Sequence, residues 1–374
     1  MKIVEIEVIH IKVPLKRPYK LSKIIGTVES TEPIIVRIIT DEGIIGIGET
    51  DPLIPFTEES PEVVKICLKE TLGPALLGVD PTNIAELHRL MDNILKQNLI
   101  AKAAIDIACY DIFGKKTKLP IYKLLGGNIR SEIPISGPLG CSLEETAGQI
   151  SEYLKMGINT VMIKTGSVSL EEDILKVKIA RETAPQMYLL VDANQGWDRS
   201  AAIKFGKSVE KYNIEFLEQP VPYWDIEGLA KIRESINIPI SVDETIFTIH
   251  DAVRVIEKKA ADIFSIKVAK NGGIYKAKQI VNLAKAFGIK CRMNSMIEEG
   301  ITQAASLQLG VCVENILESG HAYFSSLRLK EDISTFSNQI HKGIVKIHNK
   351  PGLGIDIRED ILEKYVIDVF RIKK

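Results

Sequence analysis

YLLVDANQGW (188–197), IEFLEQPVP (214–222) and IPISVDET (238–245) each run from a short apolar stretch into an acidic residue and then into turn-forming residues. The acids are Asp192, Glu218 and Asp243, and the steps between them are 218 − 192 = 26 and 243 − 218 = 25 residues. One strand, one helix and two short loops occupy about 25 residues, so the spacing reads as three successive βα units. In a parallel barrel, equal steps bring the three carboxylates to one mouth, at the C-terminal ends of neighbouring strands. Converging carboxylates repel one another unless a hard cation holds them. All-oxygen ligation suits Mg²⁺ and leaves coordination positions for a substrate's own oxygens.

Two lysines frame the acids. Lys164 in TVMIKTG lies 192 − 164 = 28 residues before the first acid, and Lys267 in IFSIKVAKNGG lies 267 − 243 = 24 residues after the last. The order is therefore lysine, acid, acid, acid, lysine on five neighbouring strands, with a candidate base on either side of a central metal.

Working outward, strand and helix alternate strictly from about Glu132 to NILESG (315–320), which makes eight units and predicts a TIM-type barrel with its site at the C-terminal strand ends. Residues 1–50 read as an antiparallel meander and 60–127 as helices, with the Ala-rich AKAAIDIACYDIFGKKTK ending before Pro120. The expected architecture is α/β: a modified (β/α)7β-like TIM barrel over 129–342, an α+β capping domain over 1–128, and a segment 343–374 that returns to complete the cap. Two stretches, 16–31 and 51–57, are expected as lid loops.

The bulk numbers exclude several classes. A net charge of −1 over 374 residues argues against electrostatic nucleic-acid binding, which needs a basic face. The five scattered cysteines contain no CxxC pair, which indicates reduced thiols rather than a disulfide framework or a zinc cluster. The N-terminus alternates like a strand and lacks a signal peptide's apolar core, and no apolar run approaches a membrane span, so a cytoplasmic protein is expected.

VDANQGW, FLEQPVP, SVDET and IKVAKNGGI, in that order and register, together with AKAAIDIACYDIFGKKTKLPIYKLLGG before them and PGLGIDI after them, resemble the enolase superfamily in its muconate-lactonizing-enzyme subgroup over essentially the whole chain. The resemblance implies Asp192, Glu218 and Asp243 as ligands of Mg²⁺, with Mn²⁺ as the alternative ion, and Lys164 and Lys267 as the acid/base pair. It implies Asn194 and Glu244 as groups that orient the ligands or a lysine, and Glu298 as a glutamate near the substrate. It also implies that the two lid loops set specificity and that the chain assembles into a homo-oligomer; the apolar Ile24, Ile25, Ile54 and Phe56 on those loops suggest a substrate with a modest apolar part.

There are departures. Met162 stands where the subgroup has the first lysine of a Lys-x-Lys pair, so the extra positive charge beside Lys164 is missing. LESGHAYFSS (317–326) lacks the Asp-x-Asp with which dipeptide epimerases hold a substrate ammonium, and the seventh strand has no histidine.

The chemistry expected is Mg²⁺-dependent removal of a proton α to a carboxylate, through an enediolate, in a small carboxylic acid. With one lysine on each face, reprotonation gives racemisation or epimerisation, or the site serves a cycloisomerisation. A β-eliminating dehydratase on the same site and a non-catalytic metal-binding scaffold, the latter motivated by Met162, stay open. Structural readings are expected for Lys270, for His321 as a hydrogen-bonded barrel histidine, for Trp197 and Tyr223 as rim residues, and for Gly272 and Gly273 as a tight turn.

Overall fold

The computed structural model describes residues 1–373. Strands β1 (Ile3–Ile11), β2 (Val13–Lys20), β3 (Thr27–Thr31), β4 (Ile34–Thr40) and β5 (Ile45–Thr50) open the chain. β1 is buried continuously from Ile6 to Ile11 because it is an inner strand of its sheet, covered on both faces. The stretch 16–31, expected as an irregular lid loop, is instead mostly the β2–β3 hairpin, whose ladder pairs Val13 with Thr31 and Lys20 with Thr27. Pro14 and Pro18 fit there because a two-stranded hairpin leaves one edge unpaired, where a missing N–H breaks no ladder bond.

The helix Leu99–Thr117 is buried on every side for most of its length. Its small residues let β5 approach closely: a Cβ at Gly48 would fall 1.9 Å from the Ala104 carbonyl oxygen, and one at Gly46 would fall 2.2 Å from that of Ala108. Polar residues on this helix tie it to the barrel through Asp106 and to β5 and the C-terminal segment through Asp111. Asp106 accepts from the Ile274 backbone N–H (2.5 Å) at the start of the barrel helix Ile274–Ala286, and Asp111 accepts from the N–H groups of Ile47 (3.1 Å) and Leu353 (3.0 Å).

The chain continues through β6 (Glu132–Pro134), β7 (Gly137–Leu139), β8 (Thr160–Lys164), β9 (Tyr188–Asp192), β10 (Ile214–Glu218), β11 (Ile240–Val242), β12 (Ile263–Ile266) and β13 (Lys290–Met293). β7 to β13 form one seven-stranded parallel sheet in sequence order, with helices between them. Ser169, Asp198, Asp225 and Thr248 cap four of these helices with their side chains. The eighth strand expected at 315–320 is reduced to two isolated bridges, Cys291 with Ile316 and Ile135 with His321, which join the sheet's two edges. The segment packs closely here, and only glycine fits: a Cβ at Gly320 would lie 2.5 Å from the Ile135 carbonyl oxygen.

The last strands are β14 (Ile340–His341), β15 (Ile344–Lys346) and β16 (Val366–Lys373). β15 pairs with β6 rather than with the cap, and β16 pairs antiparallel with β1, giving the cap sheet the order β16-β1-β4-β5. Among the described residues no helix is long and apolar enough to cross a membrane.

Candidate active site

The strand register builds the site in layers. Lys164, Asp192 and Glu218 are register partners across β8, β9 and β10. Two residues earlier, Met162, Leu190 and Phe216 are partners in the same way, so an apolar layer lies directly beneath the charged one. Asp243 and Lys267 each follow the last residue of their strand, β11 and β12. The three acids are buried, and Lys164 and Lys267 line one cavity with Asp192, Asn194, Met162 and Phe56.

The lysines and acids are paired. Lys164 Nζ donates to Asp192 Oδ2 and, at 2.9 Å, to Asn194 Oδ1. Lys267 Nζ lies 2.7 Å from Asp243 Oδ2. Lys270 is fully buried and donates to Asp243 Oδ1 (2.8 Å), the Asp243 carbonyl (2.7 Å) and the Ser265 carbonyl (3.1 Å), so it is a structural lysine. Asn194 links two strands: its backbone N–H donates to Asp192 Oδ1 (2.8 Å) and its Nδ2 to Glu244 Oε1 (3.1 Å).

These contacts set the electrostatics. Burial, then repulsion from Asp192 and Asp243, pushes the Glu218 carboxyl up to about 7. Burial followed by the charges of Asp243 and Asp192 pushes Glu244 up to about 8. For Asp243, burial works upward, but Lys267 and Lys270 outweigh it and hold the carboxyl down at about 2. Burial likewise disfavours the Lys164 ammonium, yet the Asp192 carboxylate prevails and raises its pKa.

The donor set fits a hard divalent cation. Asn294 Nδ2 reaches both Glu218 Oε1 (3.0 Å) and Asp243 Oδ2 (3.4 Å), so one amide spans two carboxylates that repel each other, and Asp192 is Glu218's register partner. Among the described residues no three such side chains stand in a ready coordinating cluster, because Asp192 and Asp243 are turned toward lysines. A cation would exchange those ion pairs for carboxylate–metal contacts.

The remaining sequence expectations divide. Phe56 and Ile25 line the cavity, and Met162 forms its floor with Leu190, Phe216 and Ile263. Ile54 does not: it is 57% exposed, and Leu53 takes the cavity-facing place because the 53–57 turn sends neighbouring side chains in opposite directions. Glu298 is buried beside the cavity rather than in its lining, accepting from Ser295 Oγ (2.8 Å) and Gln303 Nε2 (2.9 Å). His321 Nδ1 accepts from the Met293 N–H (2.9 Å) and its Nε2 pairs with the Leu317 carbonyl (3.0 Å); burial drives its pKa down to about 3, so the ring is neutral. Trp197 packs on Phe205, whereas Tyr223 is largely exposed.

Sequence reasoning missed Gln219, Arg292, Asn294 and Arg328. Gln219 Oε1 accepts from the N–H groups of Asp243 and Thr245 (both 3.1 Å), holding the loop that presents Asp243. Arg292, Asn294 and Arg328 line the cavity. For Arg292 and Asn294 the available signal was an arginine and an asparagine in KCRMNSM (290–296), one of the alternating barrel strands.

Known proteins are similar to this chain over nearly its whole length. Residues 3–126 match the mandelate racemase/muconate lactonizing enzyme N-terminal domain, and residues 145–361 match the enolase C-terminal domain-like family. The chain is 35% identical to an N-succinyl-L-Arg/Lys racemase of Bacillus cereus, covering 98% of each chain, and superposes on the crystal structure of the Bacillus cereus N-succinyl Arg/Lys racemase with a TM-score of 0.95 over 100% of both. A hydrophobic dipeptide epimerase of Enterococcus faecalis is 38% identical over 82% of this chain and 87% of its own; a dipeptide epimerase from that organism, solved with Mg and the dipeptide L-Leu-L-Tyr, superposes with a TM-score of 0.90 over 95% of this chain and 100% of its own. Muconate cycloisomerase 1 of Acinetobacter baylyi is 31% identical over 96% of this chain and 98% of its own. The chain belongs to the mandelate racemase/muconate lactonizing enzyme family of the enolase superfamily.

Proposed function

We propose that this protein is a Mg²⁺-dependent isomerase that removes a proton α to the carboxylate of a small organic acid and returns it, with an N-acylated amino acid or related amino-acid derivative as the substrate class. The relatives named above are racemases, epimerases and cycloisomerases, all isomerases. The observation that carries the reading is the placement of Lys164 and Lys267. They stand on β8 and β12, four strands apart in a closed barrel, and line the same cavity as Asp192. Groups so placed flank a bound carbon from opposite faces.

A divalent cation held by Asp192, Glu218 and Asp243 would draw charge from the substrate carboxylate and so acidify the neighbouring C–H. The chain's own groups do the rest. One lysine, as the free amine, takes the proton; the other, as the ammonium, delivers one to the opposite face. Release of Lys164 from Asp192 frees its amine for this work, and Asn194 Oδ1 keeps it aimed. Phe56, Leu53, Ile25 and Tyr19 line the cavity from the cap side, where their apolar surface would keep water from a bound substrate.

The test is α-proton exchange in D₂O followed by NMR, with and without Mg²⁺. The acids offered are N-succinyl and N-acetyl amino acids, dipeptides, muconate and its lactone. Mg²⁺-dependent exchange that inverts the α-carbon of an amino-acid derivative supports the reading. Exchange that persists in Lys164→Ala after metal removal, or none with any acid, sinks it. Loss of water in the product would move the assignment to elimination.

A further inference from the structure

Arg292 is 1% exposed and lies on β13, in register with Ser265 of β12. Its side chain enters the barrel, where the guanidinium carbon lies 6.0 Å from the centroid of the Phe216 ring. Phe216 belongs to the apolar layer with Met162, Leu190 and Ile263. Among the described residues its one acceptor is Ser136 Oγ, at 3.0 Å, while Nε and Nη1 are buried without a partner. Removing a guanidinium from water costs several kcal/mol unless its donors are satisfied, as about nine in ten buried polar groups are. Arg292, Ser136, Met162, Lys164 and Lys267 line the same cavity. Met162, which lines the same cavity, carries no charge, and the guanidinium lies against Phe216 of the apolar layer to which Met162 belongs.

We propose that Arg292 is a substrate-binding residue: its unpartnered N–H groups receive an oxygen of the substrate carboxylate, and its charge at the floor stands in for a cation absent from position 162. Arginine suits this role because its charge persists at all working pH values and its planar fork matches a carboxylate. The negative charge that develops on the carboxylate as the α-proton leaves strengthens the contact, so the residue favours the transition state over the bound acid. Ser136, just before β7 at the sheet's other edge, orients the fork by accepting from it. The same charge also acts on Glu218, whose carboxylate it favours.

This inference rests on the reaction proposed above, and charge relocation tests it. Wild type, Arg292→Met, Arg292→Lys and the double variant Met162→Lys/Arg292→Met are compared with Mg²⁺ and N-succinyl-L-lysine. Calorimetric Kd, kcat and KM for α-proton exchange, and the melting temperature are measured for each. Arg292→Met is expected to lower kcat/KM at least about a hundredfold and to weaken binding, with kcat falling more than KM rises. Arg292→Lys should lose less, and the double variant should recover at least tenfold over Arg292→Met. A folded Arg292→Met with exchange and Kd within twofold of wild type overturns the inference and leaves the reaction standing, as does a loss that the double variant fails to recover. A wild type that exchanges no acid overturns the reaction itself, and this inference with it.

Discussion

Lys267 Nζ lies 3.8 Å from the centroid of the Phe56 ring, so an aromatic side chain from the cap covers an ammonium on the barrel. Phe56 is itself buried and lines the cavity with Leu53. The cap thus covers this lysine with an aromatic face that attracts the ammonium beneath it.

Phe56→Ala removes that cover. A cation–π contact at a desolvated site contributes about 1–2 kcal/mol, so kcat/KM should fall about tenfold, and Phe56→Tyr should retain most of it. Exchange kinetics check this; unchanged kcat/KM in the alanine variant would show that the ring does not shield the lysine during turnover.

Lys164 and Lys267 should divide the two hands of the substrate. Each alanine substitution should lower exchange of one enantiomer by about 10²–10⁴ while the other keeps partial exchange with the remaining base. Separate NMR runs with the L and D acids read this directly. Equal losses for both enantiomers in both variants would contradict a base on each face.

Protons and a divalent cation compete for the oxygens of Glu218, whose carboxyl is pushed up to about 7. Mg²⁺ should therefore raise the melting temperature more at pH 8 than at pH 6. At a hundredfold excess over Kd the stabilisation is about 2.7 kcal/mol. Asp192→Asn should reduce the rise at both pH values. A rise that ignores pH and this substitution would place the ion elsewhere.

Glu49 joins the cap to the barrel by accepting from the N–H groups of Glu299 (2.7 Å) and Thr302 (2.8 Å) at the start of the helix Gly300–Gly310. Burial raises its carboxyl from the usual 4.5 to about 8, and burial raises neighbouring Asp51 to about 7. Above 4.5 the unfolded chain has released a proton that the folded one still holds. The contribution is therefore complete below that pH and is lost as pH rises toward 8. One such proton gives a slope of about 1.4 kcal/mol per pH unit. Glu49→Gln, which mimics the protonated form, should flatten the fall in stability between about pH 5 and 8 in denaturant titrations. A slope equal to wild type would assign the effect to other groups.

The sequence by itself determined the barrel and the order of its charged strand ends. Those features follow from local period: largely apolar runs of about five residues, each ending in an acid or a lysine and repeated every 24 to 28 residues, settle which residues reach the C-terminal mouth. Register then carries them into one layer, as with Lys164, Asp192 and Glu218. The tertiary structure decided what no local period encodes. Ile54 points to solvent while Leu53 and Phe56 point inward, because the backbone path of a non-repeating turn sets those directions. The 16–31 segment pairs with itself as a hairpin, and the eighth strand shrinks to two bridges, at Ile316 and His321, with Gly320 packed directly on the Ile135 carbonyl. Arg292 acquires its place beside Ser136 and Phe216 only when the barrel closes, since those partners are 156 and 76 residues away along the chain and meet through the curvature of the sheet.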